Sequence, residues 1–288
     1  MPNQHLLRNN RLDNLLQVHR KRSLVMGILN ITPDSFSDGG EYFDAGTAAK
    51  QAFRLIEEGA DLLDIGGEST RPGAQRISAE EQIRRIRPVL EAVRCTHPEI
   101  TLSVDTTRTE VAQAAFESGA DIVNDISALR ESSDLADFVS RQAGGLILMH
   151  MRGDPLTMQL NTDYLDIVSE VKDFLAQRAK LAMQSGLSGD RIWIDPGIGF
   201  GKSCQGNLEM IRSIGDCHDL GYPVVVGVSR KSFIGKILDR EPKERLAGTL
   251  AVISCLESKG VKLIHRVHDV GAVRDFLRMT EAMRKEAS

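Results

Sequence analysis

The chain has 288 residues, 41% of them apolar, and a formal charge of only −4. Such a chain can fill a sizeable core, as one large domain or two small ones, and without a long basic run it has no footprint for a nucleic-acid partner. Its longest apolar runs, such as Pro223 to Val228, fall far short of the roughly 20 residues a membrane-spanning helix needs, so no membrane partner is expected.

Residues 1–22 carry Arg8, Arg11, Arg20, Lys21 and Arg22 but lack the apolar stretch of a secretory signal. Leu6, Leu7, Leu12, Leu15 and Leu16 predict a short amphipathic helix there, a lead-in segment packed near the bottom of the fold. Residues 23–288 are read as a single domain, because no linker or low-complexity segment interrupts them. Short β-rich apolar runs recur at 24–29, 62–65, 102–104, 122–123, 146–149, 192–194, 224–228 and 263–267, with helix-periodic stretches between them.

Two of those helices carry start signals. Ser78 with Glu81 predicts a capping box, followed by Ile83, Ile86, Leu90 and Val93 on one face; Thr107 with Glu110 predicts a second, followed by Val111, Ala114 and Ala115. Two helices also stop alike, at Glu57-Glu58-Gly59-Ala60-Asp61 and Glu117-Ser118-Gly119-Ala120-Asp121, where glycine suits a left-handed C-terminal turn into the next strand. Strands alternating with helices imply a parallel sheet with right-handed crossovers. Eight such units in a chain above about 250 residues predict an α/β fold of the (β/α)8 TIM-barrel class; a doubly wound open sheet is the alternative that periodicity leaves. Cys95, Cys204, Cys217 and Cys255 are scattered without metal-ligand spacing, which predicts reduced thiols in a cytoplasmic protein.

Polar residues gather where the strands end, the side on which barrels build active sites. They are Asn30, an Asp64-to-Gly73 stretch containing Arg71, and then Asp105, Asn124, His150, Asp195, Lys231, Arg266 and His268. Singly, each has an ordinary role as a turn former, helix cap or solvated side chain. Together they indicate a site, because burying polar groups at nearly every strand end costs several kcal/mol without partners. Asp105, Asn124, Asp195 and Lys231 suit the edge of a flat, amide-like heterocycle. Arg71, Arg266 and His268 supply charge and donors for a phosphate or diphosphate, and Asn30 offers a hard oxygen for Mg2+. Glycines in the two long loops would let them close over substrates.

The stretches from Met26 to Gly40 and from Gly66 to Ala74 resemble the two signatures of the dihydropteroate synthase family. Further matches are Ser103-Val104-Asp105, Asn124-Asp125-Ile126, Met149-His150-Met151, Asp195 to Lys202, Ser229-Arg230-Lys231-Ser232 and Arg266 to Val270, in order along residues 24–280. The resemblance implies a barrel enzyme that joins 4-aminobenzoate to 6-hydroxymethyl-7,8-dihydropterin diphosphate, releasing pyrophosphate and forming 7,8-dihydropteroate. It implies that Asp105, Asn124, Asp195 and Lys231 hold the pterin edge, with Met149 and Phe200 lining the slot. Arg266 would cover the pterin face and approach the diphosphate, joined by Arg71 and His268, with Mg2+ on Asn30. Phe36, Thr70, Pro72 and Ser232 would frame the aminobenzoate, Asp38 helping from the first loop. A homodimer and competition by sulfonamides are also implied.

Two departures from the pattern stand out. Asp154 replaces a small uncharged residue and is expected to face solvent, and residues 1–22 lack the family's usual beginning. Three other readings remain. Lys231 at a strand end suits a Schiff-base aldolase. A pterin-binding methyltransferase serving a corrinoid protein would share the pocket but not need Arg71, His268 or the Phe36 loop. A non-catalytic pterin-binding paralogue would keep the fold without the chemistry.

Overall fold

All eight apolar runs become strands. The computed structural model describes residues 2–32, 44–69, 76–154, 157–158 and 160–285. A helix α1 (Pro2–His19) precedes β1 (Leu24–Asn30), α2 (Ala45–Glu57), β2 (Leu62–Gly66), α3 (Ala79–Thr96), β3 (Thr101–Asp105) and α4 (Thr109–Glu117). There follow β4 (Ile122–Asp125), α5 (Leu135–Arg141), β5 (Gly145–Met149), α6 (Ile167–Gln184), β6 (Ile192–Asp195), and the pair α7 (Cys204–Arg212) and α8 (Ile214–His218). The chain ends with β7 (Val224–Val226), α9 (Ser232–Leu238), α10 (Leu246–Glu257), β8 (Leu263–Val267) and α11 (Val270–Lys285). Every strand pairs in parallel with its neighbour, and β8 returns to β1, so the sheet is a closed barrel rather than an open one.

Side chains alternate in and out along each strand, and this places the site. Outward residues such as Leu63, Ile65, Val104, Leu146 and Val226 pack under the helices. Inward, the lower layer is apolar: Leu24, Met26, Leu62, Ile122, Ile147, Trp193, Val225 and Ile264. Two residues further along four of the strands the interior becomes polar, with Asp64 above Leu62, Asn124 above Ile122, Asp195 above Trp193 and Arg266 above Ile264. The run at 224–228 leaves the sheet early: β7 ends at Val226, and Gly227 turns to the barrel mouth.

The lead-in segment forms the predicted helix and closes the bottom of the barrel. Leu12 and Leu15 join the lower interior layer, and burying each stabilises the fold by about 2 kcal/mol. Arg8 donates to the carbonyls of Phe116 and Ala120 at the end of α4, while Arg11 pairs with buried Asp121 at 2.7 Å. The Phe116 carbonyl also accepts the Gly119 N–H at 3.2 Å, so the guanidinium adds a second donor where the helix turns into the next strand.

The two matching helix ends are built alike. Gly59 and Gly119 have φ of 98° and 100°, a region that side-chain-bearing residues rarely adopt. Arg274 donates to the Gly59 carbonyl and pairs with Asp61; Arg94 does the same with Gly119 and Asp121. Each aspartate also accepts a strand N–H, from Val25 and Leu102 respectively.

Of the two predicted capping boxes, neither forms in full. Ser78 does cap α3, accepting the Glu81 N–H at 3.2 Å, but the Glu81 carboxylate turns to Arg84 and Arg85. Thr107 does not cap α4 at all. The helix begins after Arg108, and the Thr107 hydroxyl donates instead to Glu131 at 2.8 Å. Among the described residues no helix is long and apolar enough to cross a membrane, and all four cysteines are free thiols.

Candidate active site

At the C-terminal mouth of the barrel a narrow slot is lined by Asp105, Asn124, Ile126, Met149, Asp195, Gly197, Ile198, Phe200, Gly227, Lys231 and Arg266. Four of these residues, Asp105, Asn124, Asp195 and Lys231, are the sequence candidates for the pterin edge, and Met149, Phe200 and Arg266 are those for its faces. Asp105, Asn124, Asp195 and Met149 are buried, whereas Phe200, Lys231 and Arg266 are half-buried at the slot wall. Met149 and Phe200 belong to a small apolar cluster with Ile126, Met151 and Met158, so one flank of the slot is apolar and the other polar.

The floor of the slot is organised by Asp64, which the sequence places at a strand end but gives no role. Its carboxylate is fully buried and accepts from Ser103 (2.7 Å), Asn124 (3.0 Å) and the Arg266 Nε (2.7 Å). Arg266 also donates to Asp105 at 3.0 Å, so one guanidinium bridges two carboxylates and stands upright in the barrel. Alternation along β2 is the signal that would have found Asp64: it lies between outward Leu63 and Ile65, directly above inward Leu62.

Charge in the slot is strongly perturbed. Burial, with Asp64 adding its negative charge, pushes Asp105 up to about 7 despite Arg266. Burial also raises Asp195, although it accepts the Gly197 N–H at 2.7 Å and faces Lys231 and Arg266. Burial and the Arg266 charge draw Lys231 down to about 8, and its ammonium lies 3.9 Å from the Phe200 ring centroid. Buried carboxylates and a lysine shifted toward neutrality, converging in one cleft around the Arg266 ion pairs, are a pattern that working sites share.

A second cleft opens over the seam between β1 and β8, lined by Asn30, Arg54, Arg230, Lys243, His268 and Asp269 among others. It brings together two candidates for the diphosphate, Asn30 and His268. His268 accepts or donates through Nδ1 to Ser229 at 3.1 Å, and burial with the charges of Arg266 and Arg230 lowers it to about 3. Its imidazole is therefore neutral at pH 7 and offers a hydrogen bond rather than the positive charge expected from sequence. Arg230, not assigned a role from sequence, pairs with Asp269 beside it.

Asn30 ends β1 level with Gly66 of β2, which pairs in turn with Asp105 of β3. Among the described residues no cluster of three or more histidine, cysteine or acidic side chains is arranged to hold a metal. One neutral oxygen fits Mg2+, which keeps several waters and takes its remaining ligands from substrate phosphates. Ser232 is exposed at the start of α9. Phe36, Asp38, Thr70, Arg71 and Pro72 lie outside the described residues. Asp154 does not simply face solvent; it is half-buried and accepts the Thr157 N–H at 2.8 Å.

A closed parallel barrel whose mouth holds a flat slot edged by carboxylates, an amide and cations defines a class, the pterin-binding barrel enzymes. The model of the pterin binding enzyme family matches residues 26–268. A dihydropteroate synthase from Synechocystis is 46% identical over 264 residues, spanning 91% of each chain. The solved dihydropteroate synthase of Xanthomonas albilineans with 4-aminobenzoic acid superposes with a TM-score of 0.85 at 44% identity, over 91% of this chain and 93% of that one. That of Yersinia pestis in complex with a sulfonamide drug gives 0.85 at 37% identity, over 92% and 95%. This chain belongs to the dihydropteroate synthase family.

Proposed function

We propose that this chain condenses 6-hydroxymethyl-7,8-dihydropterin diphosphate with 4-aminobenzoate, releasing pyrophosphate and forming 7,8-dihydropteroate. One observation carries the reading: Asp105, Asn124, Asp195, Lys231 and Arg266 converge on a single slot walled by Met149 and Phe200. Such a ring offers alternating acceptors and donors to the edge of a planar pterin, while the apolar wall takes its face. Each buried polar group then gains a partner, and analogues lacking the matching group are rejected.

The chemistry needs no protein nucleophile. The electron-rich pterin can carry positive charge on its methylene as the diphosphate leaves, so the protein has to stabilise charge that moves outward. Asp195 would hold the ring through a hydrogen bond and favour its cationic form electrostatically. Lys231 and Asn124 would fix the pterin edge, and Arg266, held upright by Asp64 and Asp105, would cover the ring and reach toward the diphosphate. Arg71 and His268 would complete the anion site. Asn30 would hold Mg2+ together with diphosphate oxygens and water, where the ion neutralises developing negative charge. Phe36, Thr70, Pro72 and Ser232, with Asp38, would frame the aminobenzoate so that its weakly basic amine meets the electrophile with water excluded. Two copies would associate as a homodimer in the cytoplasm, consistent with four unpaired thiols.

Incubating the protein with Mg2+ and both substrates tests the reading by mass spectrometry. Recovery of 7,8-dihydropteroate, and none when the pterin lacks its diphosphate, is the expected result. Pterin binding without product would point instead to a non-catalytic paralogue.

A further inference from the structure

Lys202 closes the loop between β6 and α7, and the proposed reaction leaves it without a role. Its side chain is buried, with only 3% of the residue exposed. The ammonium donates to the carbonyls of Gly197 (2.9 Å) and Phe200 (3.1 Å), and lies 2.9 Å from His150 Nδ1. Three acceptors match the three donors of an ammonium, and they hold it against a burial that draws Lys202 down to about 7. Burial and the Lys202 charge hold His150 down to about 2, so its imidazole is neutral and Nδ1 is an acceptor. The acceptors come from two segments, the loop itself and the residue that follows β5. The His150 N–H also donates to the Asp195 carbonyl at 2.9 Å, which ties the two strand ends together.

The opposite side of the same loop is the slot wall. The Gly197 N–H holds Asp195 at 2.7 Å, and the Phe200 ring lies under the Lys231 ammonium. Gly199, at φ 86°, lies so close to Lys231 that a Cβ there would come within 2.9 Å of its Cδ. Lys202 and Lys231 therefore grip one loop from its two faces, the first from the side where His150 packs against Phe174 of α6 and the second from the site.

We propose that Lys202 is a positioning residue for the pterin site: its ammonium winds the β6–α7 loop from behind, anchors it to His150, and so sets the spacing between Phe200 and Lys231. The inference rests on the pterin reading of the slot. Without Lys202 the loop would keep Asn207, which accepts the Gly199 N–H at 2.6 Å, and Tyr164, which donates to the Gly201 carbonyl at 2.8 Å, but nothing would hold the Gly197 and Phe200 carbonyls that set the Phe200 wall. A small misplacement of a binding wall weakens recognition steeply.

The test compares Lys202→Met, His150→Leu and His150→Asn with the wild type. Asparagine can return an acceptor to the position of Nδ1, and leucine cannot. Calorimetry gives the Kd for pterin diphosphate, steady-state kinetics the KM for 4-aminobenzoate, and thermal melting confirms folding. The expected result is a Kd about tenfold higher in Lys202→Met and His150→Leu, with the aminobenzoate KM unchanged and His150→Asn close to wild type. An unchanged Kd in folded Lys202→Met, or an equal rise in both substrates' constants, overturns the proposal. So does His150→Asn behaving like His150→Leu, which keeps the idea falsifiable if Lys202→Met fails to fold. Failure of the wild type to bind pterin diphosphate would instead overturn the pterin reading itself.

Discussion

Lys231 and Arg266 bring two cations to the slot, and Asp64, Asp105 and Asp195 face them. Because Lys231 is drawn down to about 8, its ammonium is present below that pH and lost as pH rises through it, whereas an ordinary lysine stays charged past pH 10. Pterin affinity should therefore fall as pH rises above 8. Asp105, lifted to about 7, changes from acid to carboxylate at a lower pH, so the break is assigned by comparison with Lys231→Arg, which remains charged. Calorimetry between pH 6 and pH 10, on a scale of about two units either side of 8, should show the break in the wild type and not in the variant; a flat wild-type profile would sink the assignment. At the same scale, Asp195→Ala removes a buried carboxylate aimed at the ring. It should weaken pterin-diphosphate binding roughly 10- to 100-fold, and unchanged affinity by calorimetry would remove Asp195 from the site.

The elements divide the labour by end of the barrel. Helix α1 plugs the bottom with Leu12 and Leu15, remote from the slot at the strands' C-terminal ends. Leu12→Ala should cost about 3 kcal/mol of stability through lost burial and a residual cavity, read as a lower denaturation midpoint, while KM for both substrates stays as in wild type. A changed KM would mean that the bottom of the barrel communicates with its mouth. Element scale is also where sequence was most legible. Short β-rich apolar runs marked all eight strands, and Gly59 and Gly119 marked two helix ends correctly, because both signals are local. The cap at Thr107 was misread because its competitor, Glu131, arrives from the β4–α5 connection, which no local pattern reveals. The role of Asp64 was hidden for the same reason. Its partners Asn124 and Arg266 stand on β4 and β8, and within Leu62-Leu63-Asp64-Ile65 it reads as an interruption of an apolar run. The roles of Phe36, Asp38, Thr70 and Pro72 came from the family resemblance alone, and these residues, like Arg71, lie outside those described.

Across the whole molecule, the eightfold closure brings side chains from distant parts of the sequence onto one slot, and no single unit could form it alone. The aminobenzoate site would lie above the pterin, so a sulfonamide, which presents a similar aromatic amine, should compete with aminobenzoate; the Yersinia pestis relative has been solved with such a drug. Inhibition that persists at saturating aminobenzoate would place the drug elsewhere. The central claim, that this barrel departs diphosphate from a pterin and hands the methylene to aminobenzoate, is met most directly by pyrophosphate release. Purified protein is mixed with Mg2+ and pterin diphosphate, with and without 4-aminobenzoate. Release that requires aminobenzoate and matches dihydropteroate formed is the predicted result; measurable pterin binding with no release under either condition would contradict it.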